Sequence, residues 1–570
     1  MKRLLVLLLA LCMGAFADDS KLSKDLRHRT GNDFVDVIIQ YKSPPRQKHK
    51  NRITGHRGQV TSALSLIGGL SARIPAAALR EVADDPDVVH VSPDRSVTPS
   101  LAYETAAAGA TYAWNYGYDG SGVGIAVIDS GINASSEFKM AGLSASRIVY
   151  SQNFTTEKVT ADLYGHGTHV ASIIAGNGYW STCGNCFRTF KGMAPDAKLI
   201  NLRVLDSRGQ GQDSWVIAAI DTAIRLKSKY NIRVINLSLG RPIYESYTVD
   251  PLCQAVERAY RAGIVVVVAA GNEGRNQAAG TDGYGTIMSP ANDPYVITVG
   301  AMKAQDTLST SDDTIASYSS KGPTAIDHIA KPDLVAPGNR VVALIASTGY
   351  LVNTYTVNRI PMNSYMSGAG STLSAYYYKQ SGTSMAAAVV SGAVADLLEA
   401  QPYLTPDQVK ARLMKTARKE FPLYSSVFDE ATGITYTSQY DIFTVGAGYL
   451  DLAAALMNSD VALMPAKSPT AYYDASTGQV HLLYDDSALW SSGALWGSTA
   501  IWGSQVFVGG EAALWGSGAL WGSSALWGSG ALWGSSGTQG FSALWGSGAL
   551  WGSGNMTTSE STNLLVTGEN

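Results

Sequence analysis

Between about residue 110 and residue 455, contiguous apolar runs alternate with stretches whose apolar positions recur every three or four residues. The runs "GVGIAVID", "KLINLRVL", "IRVINLSLG", "GIVVVVAAGN" and "YVITVGA" are rich in Val and Ile and show no polar alternation. That pattern suits parallel strands buried on both faces. The segments "DSWVIAAIDTAIRLKSKY" and "PLCQAVERAYRAG" carry helical periodicity between them. The succession predicts an α/β domain over 101–455, a mostly parallel sheet with helices on both faces. Residues 18–100 read differently. "DFVDVIIQY" and "GGLSARIP" are strand patterns, and the polar, basic "RQKHKNRITGHRGQVTSAL" between them reads as helix. "AAALREVADDPDVVHVSP" reads as a short helix and then a strand, which together predict a small α+β unit. The small, polar "DRSVTPSLAYETAAAG" reads as a linker.

After residue 455 the pattern changes again. Residues 456–486 read as a linker, 487–554 repeat "ALWGSG" and its variants, and 555–570 form a C-terminal tail. Nine of the 12 tryptophans lie in the repeats: Trp490, Trp496, Trp502, Trp515, Trp521, Trp527, Trp533, Trp545 and Trp551. The spacing is six except at two breaks; within each unbroken run the even period keeps the indoles on one face of an extended chain, and Gly-Ser supplies a bend in each hexad. A short β-rich stack is the expectation, with a flexible aromatic tail as the alternative.

Composition narrows the function classes. With 16% charged residues and a formal net charge of -3, the 570-residue chain lacks the basic surplus of a nucleic-acid binder. The glycines of "GSGVGIAVIDSG" precede the strand instead of following it, so they read as a turn and not as a phosphate loop. The N-terminus has two basic residues, an apolar stretch from Leu4 to Leu11 and the small-residue pattern Ala15-Phe16-Ala17. It reads as a secretory signal over 1–17, cut after Ala17, which predicts an exported protein with no transmembrane segment. In that compartment the pair in "CGNC", Cys183 and Cys186, reads as a small disulfide, and Cys253 as a buried thiol.

Candidate chemistry gathers at strand ends and one helix start. Asp129 closes "GIAVID", and Asn272 follows "GIVVVVAAG"; both would be turn residues if taken alone. Of eight histidines, only His166, His169 and His328 fall in the α/β region. His166 precedes an amphipathic helix, whose positive end should help keep the imidazole neutral. His169 reads as a packed, hydrogen-bonded residue and His328 as a loop residue. The HxxH spacing lacks the helical Glu of a zinc protease. Ser384 stands in "SGTSMAAAVVSG", where it reads either as a helix cap or as a nucleophile.

Five blocks in order, "AVIDSGI", "GHGTHVASIIAG", "NLSLG", "AAGNEG" and "SGTSMAAAVVSG", resemble the signature blocks of the subtilisin-like serine proteases, the subtilase family. The resemblance covers most of residues 110–455, and its Asp, His, Ser order is the subtilisin order. It implies Ser384 as nucleophile, His166 as general base and Asp129 as the carboxylate that orients the ring. It implies Asn272 as the side-chain oxyanion donor, and Ser238, Leu239 and Gly240 as the segment that binds substrate as an added strand. Gly271 would belong to the wall of the primary specificity pocket. One departure stands out: Ala388 occupies a position where the family often has Pro. The resemblance also makes residues 18–100 an inhibitor-type propeptide, so the chain would be a self-processed zymogen. Its partners would be protein or peptide substrates and its own propeptide, with no required cofactor. The resemblance leaves structural calcium open, since it occurs in the family, although its ligands do not map cleanly onto this chain, so no metal residue is assigned. Alternatives on the same features are an acyl transferase using the same triad and a non-catalytic surface-adhesion protein using the Trp repeats.

Overall fold

The computed structural model describes residues 21–22, 26–27, 29–64, 68–93, 100–101, 107–140, 144–276, 283–305, 307, 309–430, 432–463, 465–474, 479–483 and 568–569. The expected signal segment and the hexad repeats lie outside the described residues. The chain divides into two compact units, residues 1–98 and residues 99–570.

In the first unit, strands β1 (Phe34–Tyr41), β2 (Gln59–Leu64), β3 (Gly69–Pro75) and β4 (Val88–Pro93) form an antiparallel sheet in the order β2-β3-β1-β4. Helices α1 (Gln47–Gly55) and α2 (Leu79–Ala83) complete it. Val37, Ile39, Leu70, Ala72, Ile74 and Val91 form its buried core with Ile53 and Leu79 from the helices. The expected α+β unit is present, with one difference. The polar stretch read as helix is helical only over Gln47–Gly55, and its second half is β2.

The second unit is built on an eight-stranded sheet. Its strands are β5 (Gly124–Asp129), β6 (Ile148–Asn153), β7 (Lys198–Arg203), β8 (Ile232–Leu237), β9 (Val265–Ala269), β10 (Ile297–Lys303), β11 (Thr314–Ile315) and β12 (Leu334–Pro337). The order across the sheet is β11-β10-β9-β8-β5-β7-β6, with β12 also pairing with β10. Every pairing is parallel except that of β10 with β11. Ile125 and Val127 join one buried cluster, whereas Ala126 and Ile128 join the other. That two-sided burial is why β5 needs an unbroken apolar run. Helix α3 (Ala110–Asn115) belongs to the first cluster, as do α4 (Gly167–Ala175) and α7 (Thr383–Ala400). Helices α5 (Asp213–Tyr230) and α6 (Pro251–Arg261) cover the other face.

Helix α7 is apolar on all sides because it runs through the interior: every residue from Thr383 to Leu398 is buried. It is the one helix among the described residues long and apolar enough to cross a membrane, and it is packed inside the domain instead. Ala388 lies in its unbroken interior, so the absence of Pro leaves the helix intact.

The region beyond residue 455 departs from the expected linker. Ala466, Ala471 and Leu482 are in the main core. The buried Ser468 hydroxyl donates to Asp333 (2.6 Å). Residues Thr470–Asp474 and Gln479–Leu483 pair as an antiparallel hairpin. At the far end Glu569 docks on the same unit: Arg275 Nη2 (2.8 Å) and Ser317 N (2.7 Å) donate to its carboxylate, and Asn339 Nδ2 donates to its carbonyl (2.9 Å). Cys183 and Cys186 form a disulfide, and Cys253 is a free, buried thiol, as expected.

Candidate active site

The chain order of β5 to β10 reverses direction across the sheet at β5 and β8, which are neighbours in it. A crevice opens outside the carboxyl ends of strands at such a switch point. Asp129 is the last residue of β5, Ser238 follows β8 directly, and Asn272 lies three residues beyond β9. Helices α4 and α7 begin at the same place, so His166 immediately precedes one and Ser384 sits in the first turn of the other.

Asp129 is 1% exposed, and its Oδ1 lies 2.8 Å from His166 Nδ1. The Ser130 amide donates to the same oxygen (2.7 Å). Gly167 permits this approach, since a Cβ there would lie 2.3 Å from Gly131 O and 3.1 Å from Asp129 Oδ1. With Nδ1 held by a carboxylate, the ring is left with Nε2 for proton exchange. Burial pushes the imidazole pKa down, but the charge and hydrogen bond of Asp129, with a contribution from Asp162, hold it above its ordinary value. The expected pull of the helix N-terminus toward the neutral ring is opposed here by a carboxylate in direct contact.

Ser384 lies behind Gly382, whose φ of 149° falls in a region that favours glycine. Its Oγ donates to Ser238 O (3.2 Å), and Ser238 Oγ donates to Ser384 O (2.9 Å). Asn272 is fixed by its oxygen: Thr383 N (2.9 Å) and Thr383 Oγ1 (3.1 Å) both donate to Oδ1. That leaves Nδ2 as a preset donor beside the start of α7. Ser384, His166, Asn272, Ser238, Leu239 and Gly240 all line one cavity of about 290 Å³. Gly271 stands beside Asn272, with its amide donating to Thr383 Oγ1 (3.1 Å).

The other histidines separate as expected. His169 is fully buried, with Nε2 3.1 Å from both Val341 O and Tyr378 O, and burial lowers its pKa to about 3. His328 is a loop residue with φ 51°.

Sequence reasoning did not single out Asp162. Its Oδ1 accepts from Ser130 Oγ (2.8 Å) and Gly165 N (2.6 Å), and its Oδ2 accepts from Thr168 N (2.8 Å). Ser130 Oγ in turn accepts from Gly167 N (2.9 Å). Asp162 therefore ties the end of β5 to the start of α4, and so sets where His166 meets Asp129. The available signal was its place six residues before Thr168, at the entry to a helix that has no side-chain cap of its own. Among the described residues no group of three or more His, Cys, Asp or Glu side chains is arranged to hold a metal ion.

Residues 120–440 match the model of the subtilase family. The chain is 33% identical over 395 residues to the serine protease AprX of Bacillus subtilis (strain 168), spanning 68% of this chain and 79% of that protein. It is 33% identical over 373 residues to subtilisin E of the same organism, covering 65% and 81%. With subtilisin-like protease 5 of Trichophyton tonsurans it shares 29% identity over 330 residues, covering 55% and 71%.

Proposed function

The chain belongs to the subtilase family and is a serine-type endopeptidase, and we propose that it cleaves peptide bonds through Ser384, His166 and Asp129. The observation that carries this reading is the 2.8 Å contact between His166 Nδ1 and Asp129 Oδ1 beside a cavity that Ser384 and Asn272 also line. His166 Nε2 takes the Ser384 proton as Oγ attacks the scissile carbonyl carbon. The Asn272 amide and the Ser384 backbone N–H receive the developing oxyanion. The imidazolium then passes its proton to the leaving amine, and water repeats the cycle on the acyl-enzyme.

Substrate lies along Ser238, Leu239 and Gly240 as an added antiparallel strand, with Gly271 on the opposite wall. Ser384 Oγ donates to Ser238 O in the free protein. A substrate N–H that takes this carbonyl releases the hydroxyl toward His166, so strand addition and nucleophile activation are one event. Catalytic hydrogen bonds of this kind commonly tighten only in the substrate complex.

Residues 18–100 act as a propeptide that is cut off by the enzyme itself, after export directed by residues 1–17. Support comes from the leader-like pattern and from the separate core of the N-terminal unit. Protein or peptide chains are the substrates, and the Trp repeats attach the enzyme to a surface.

The test compares wild type with Ser384→Ala on a denatured protein substrate, with phenylmethylsulfonyl fluoride as a second probe. Wild type should cleave and be inactivated by the sulfonyl fluoride, while the variant should accumulate with its N-terminal unit still attached. Cleavage by the variant would overturn the reading. Mass spectrometry of the products separates hydrolysis from acyl transfer to an amine.

A further inference from the structure

Two wall segments flank Ser384, and each carries a glycine facing the same side chain. A Cβ at Gly271 would lie 2.8 Å from Met288 Cγ and 3.0 Å from its Sδ. A Cβ at Gly240 would lie 3.1 Å from Met288 Cβ and 3.6 Å from its Sδ. The Met288 side chain therefore stands in the slot between the two walls, where a side chain on either glycine would meet it. Its backbone is tied to both as well. Met288 N donates to Ala270 O (3.0 Å), while Ser289 and Arg241 exchange backbone hydrogen bonds (2.8 and 3.0 Å). The 290 Å³ cavity runs from Ser384 past Gly240 toward Leu205, Val216 and Leu252, and neither Gly271 nor Met288 lines it. Space is open on the outer side of Ser238–Gly240 and filled between Gly240 and Gly271.

A substrate strand on Ser238–Gly240 presents successive side chains to opposite faces. The residue whose carbonyl sits between Ser384 and Asn272 sends its side chain between the walls, where Met288 already lies. We propose that Met288 sets the specificity of this protease: it closes the slot for the residue on the acyl side of the cut, so that Gly, Ala and Ser fit and large aromatic or branched residues do not. This inference rests on the proposed catalytic role of Ser384.

The experiment uses tetrapeptide p-nitroanilides that differ only in the residue before the cut, Ala or Phe, with the full-length chain after its own processing. Wild type should favour Ala over Phe by tenfold or more in kcat/KM, since one excluded methylene already gives about tenfold and Phe adds a whole phenyl ring to Ala. Met288→Gly should raise the Phe-to-Ala ratio at least tenfold, and Met288→Leu, of similar volume, should leave the ratio near that of wild type. Met288→Ala serves if the Gly variant does not fold. Labelling of Ser384 by a fluorophosphonate probe reports an intact nucleophile in each sample. Equal cleavage of Phe and Ala by labelled wild type, or an unchanged ratio in labelled Met288→Gly and Met288→Ala, would overturn the assignment of Met288 alone. Loss of both labelling and cleavage in wild type would overturn the catalytic reading, and the Met288 assignment with it.

Discussion

Replacing Asn272 by Ala tests whether the amide at the start of α7 stabilises charge that exists only in the transition state. The side chain is held by its oxygen, through Thr383 N at 2.9 Å and Thr383 Oγ1 at 3.1 Å. Its Nδ2 is therefore oriented before substrate arrives and needs no reorganisation during reaction. Removing one such donor costs about 10²–10³ in kcat, a magnitude measured in a subtilisin. At roughly 1.4 kcal/mol per decade, that equals about 2.7–4 kcal/mol of transition-state stabilisation. The ground-state carbonyl gains little from the donor, so KM should stay within about threefold. The same substitution strips Thr383 N of its acceptor in a buried place, which costs on the order of 1–3 kcal/mol of folding stability. A lowered Tm is thus expected, and kinetics must be read well below it. Steady-state kinetics on a peptide p-nitroanilide give both parameters. A loss of less than about tenfold in kcat, or a rise in KM with kcat unchanged, would refute the donor role.

Three further outcomes are expected from the same geometry. Asp129→Asn should cost about 10⁴ in kcat. It should also shift the acidic limb of kcat/KM to lower pH, because His166 works as the neutral base and Asp129 holds its pKa above the ordinary imidazole value against burial; a wild-type limb that does not move in the variant contradicts this. A chain ending after residue 463 should be several kcal/mol less stable than one ending after residue 483, because it loses the buried Leu482 side chain (about 2 kcal/mol) and the Ser468–Asp333 bond (about 1.5–3 kcal/mol); equal urea midpoints would show that the hairpin adds nothing. Glu569→Ala should lower stability by about 1.5–3 kcal/mol by removing the acceptor of Arg275 and Ser317 N, although Arg275 keeps Asp429 at 2.9 Å; an unchanged Tm would mean that the docked end adds no stability.

The central sheet was legible because its strands are apolar on both faces, as Ala126 and Val127 show by entering different clusters. Strand β2 was not. Its sequence "QVTSAL" sits at a sheet edge with no residue fully buried, so it carries no apolar face to separate it from helix. Residues 456–486 were misread for a related reason. Ala466, Ser468 and Ala471 are small or polar, and only their contacts with Asp333 and the core make them part of the domain.

The site divides along the same physical line. Asp129, Asn272 and Ser384 stand where a strand ends or a helix starts, the place where chemistry in an open α/β sheet belongs, and their roles were legible because the blocks around them resemble those of a known family. Asp162 and Met288 act by position: one accepts hydrogen bonds from Ser130, Gly165 and Thr168, and the other fills the gap between Gly240 and Gly271. Nothing local marks Met288, because a Met before Ser-Pro is ordinary in sequence, and the local sign of Asp162 is no more than its place at the entry to a helix without a side-chain cap. Their effect depends on which segments tertiary packing brings against them. Residues that react are therefore readable from the ordered blocks of a family resemblance, whereas those that orient the base or size the specificity slot emerge only when the segments are assembled. Substitutions at Met288 should accordingly change which peptides are cut while the reaction itself stays the same.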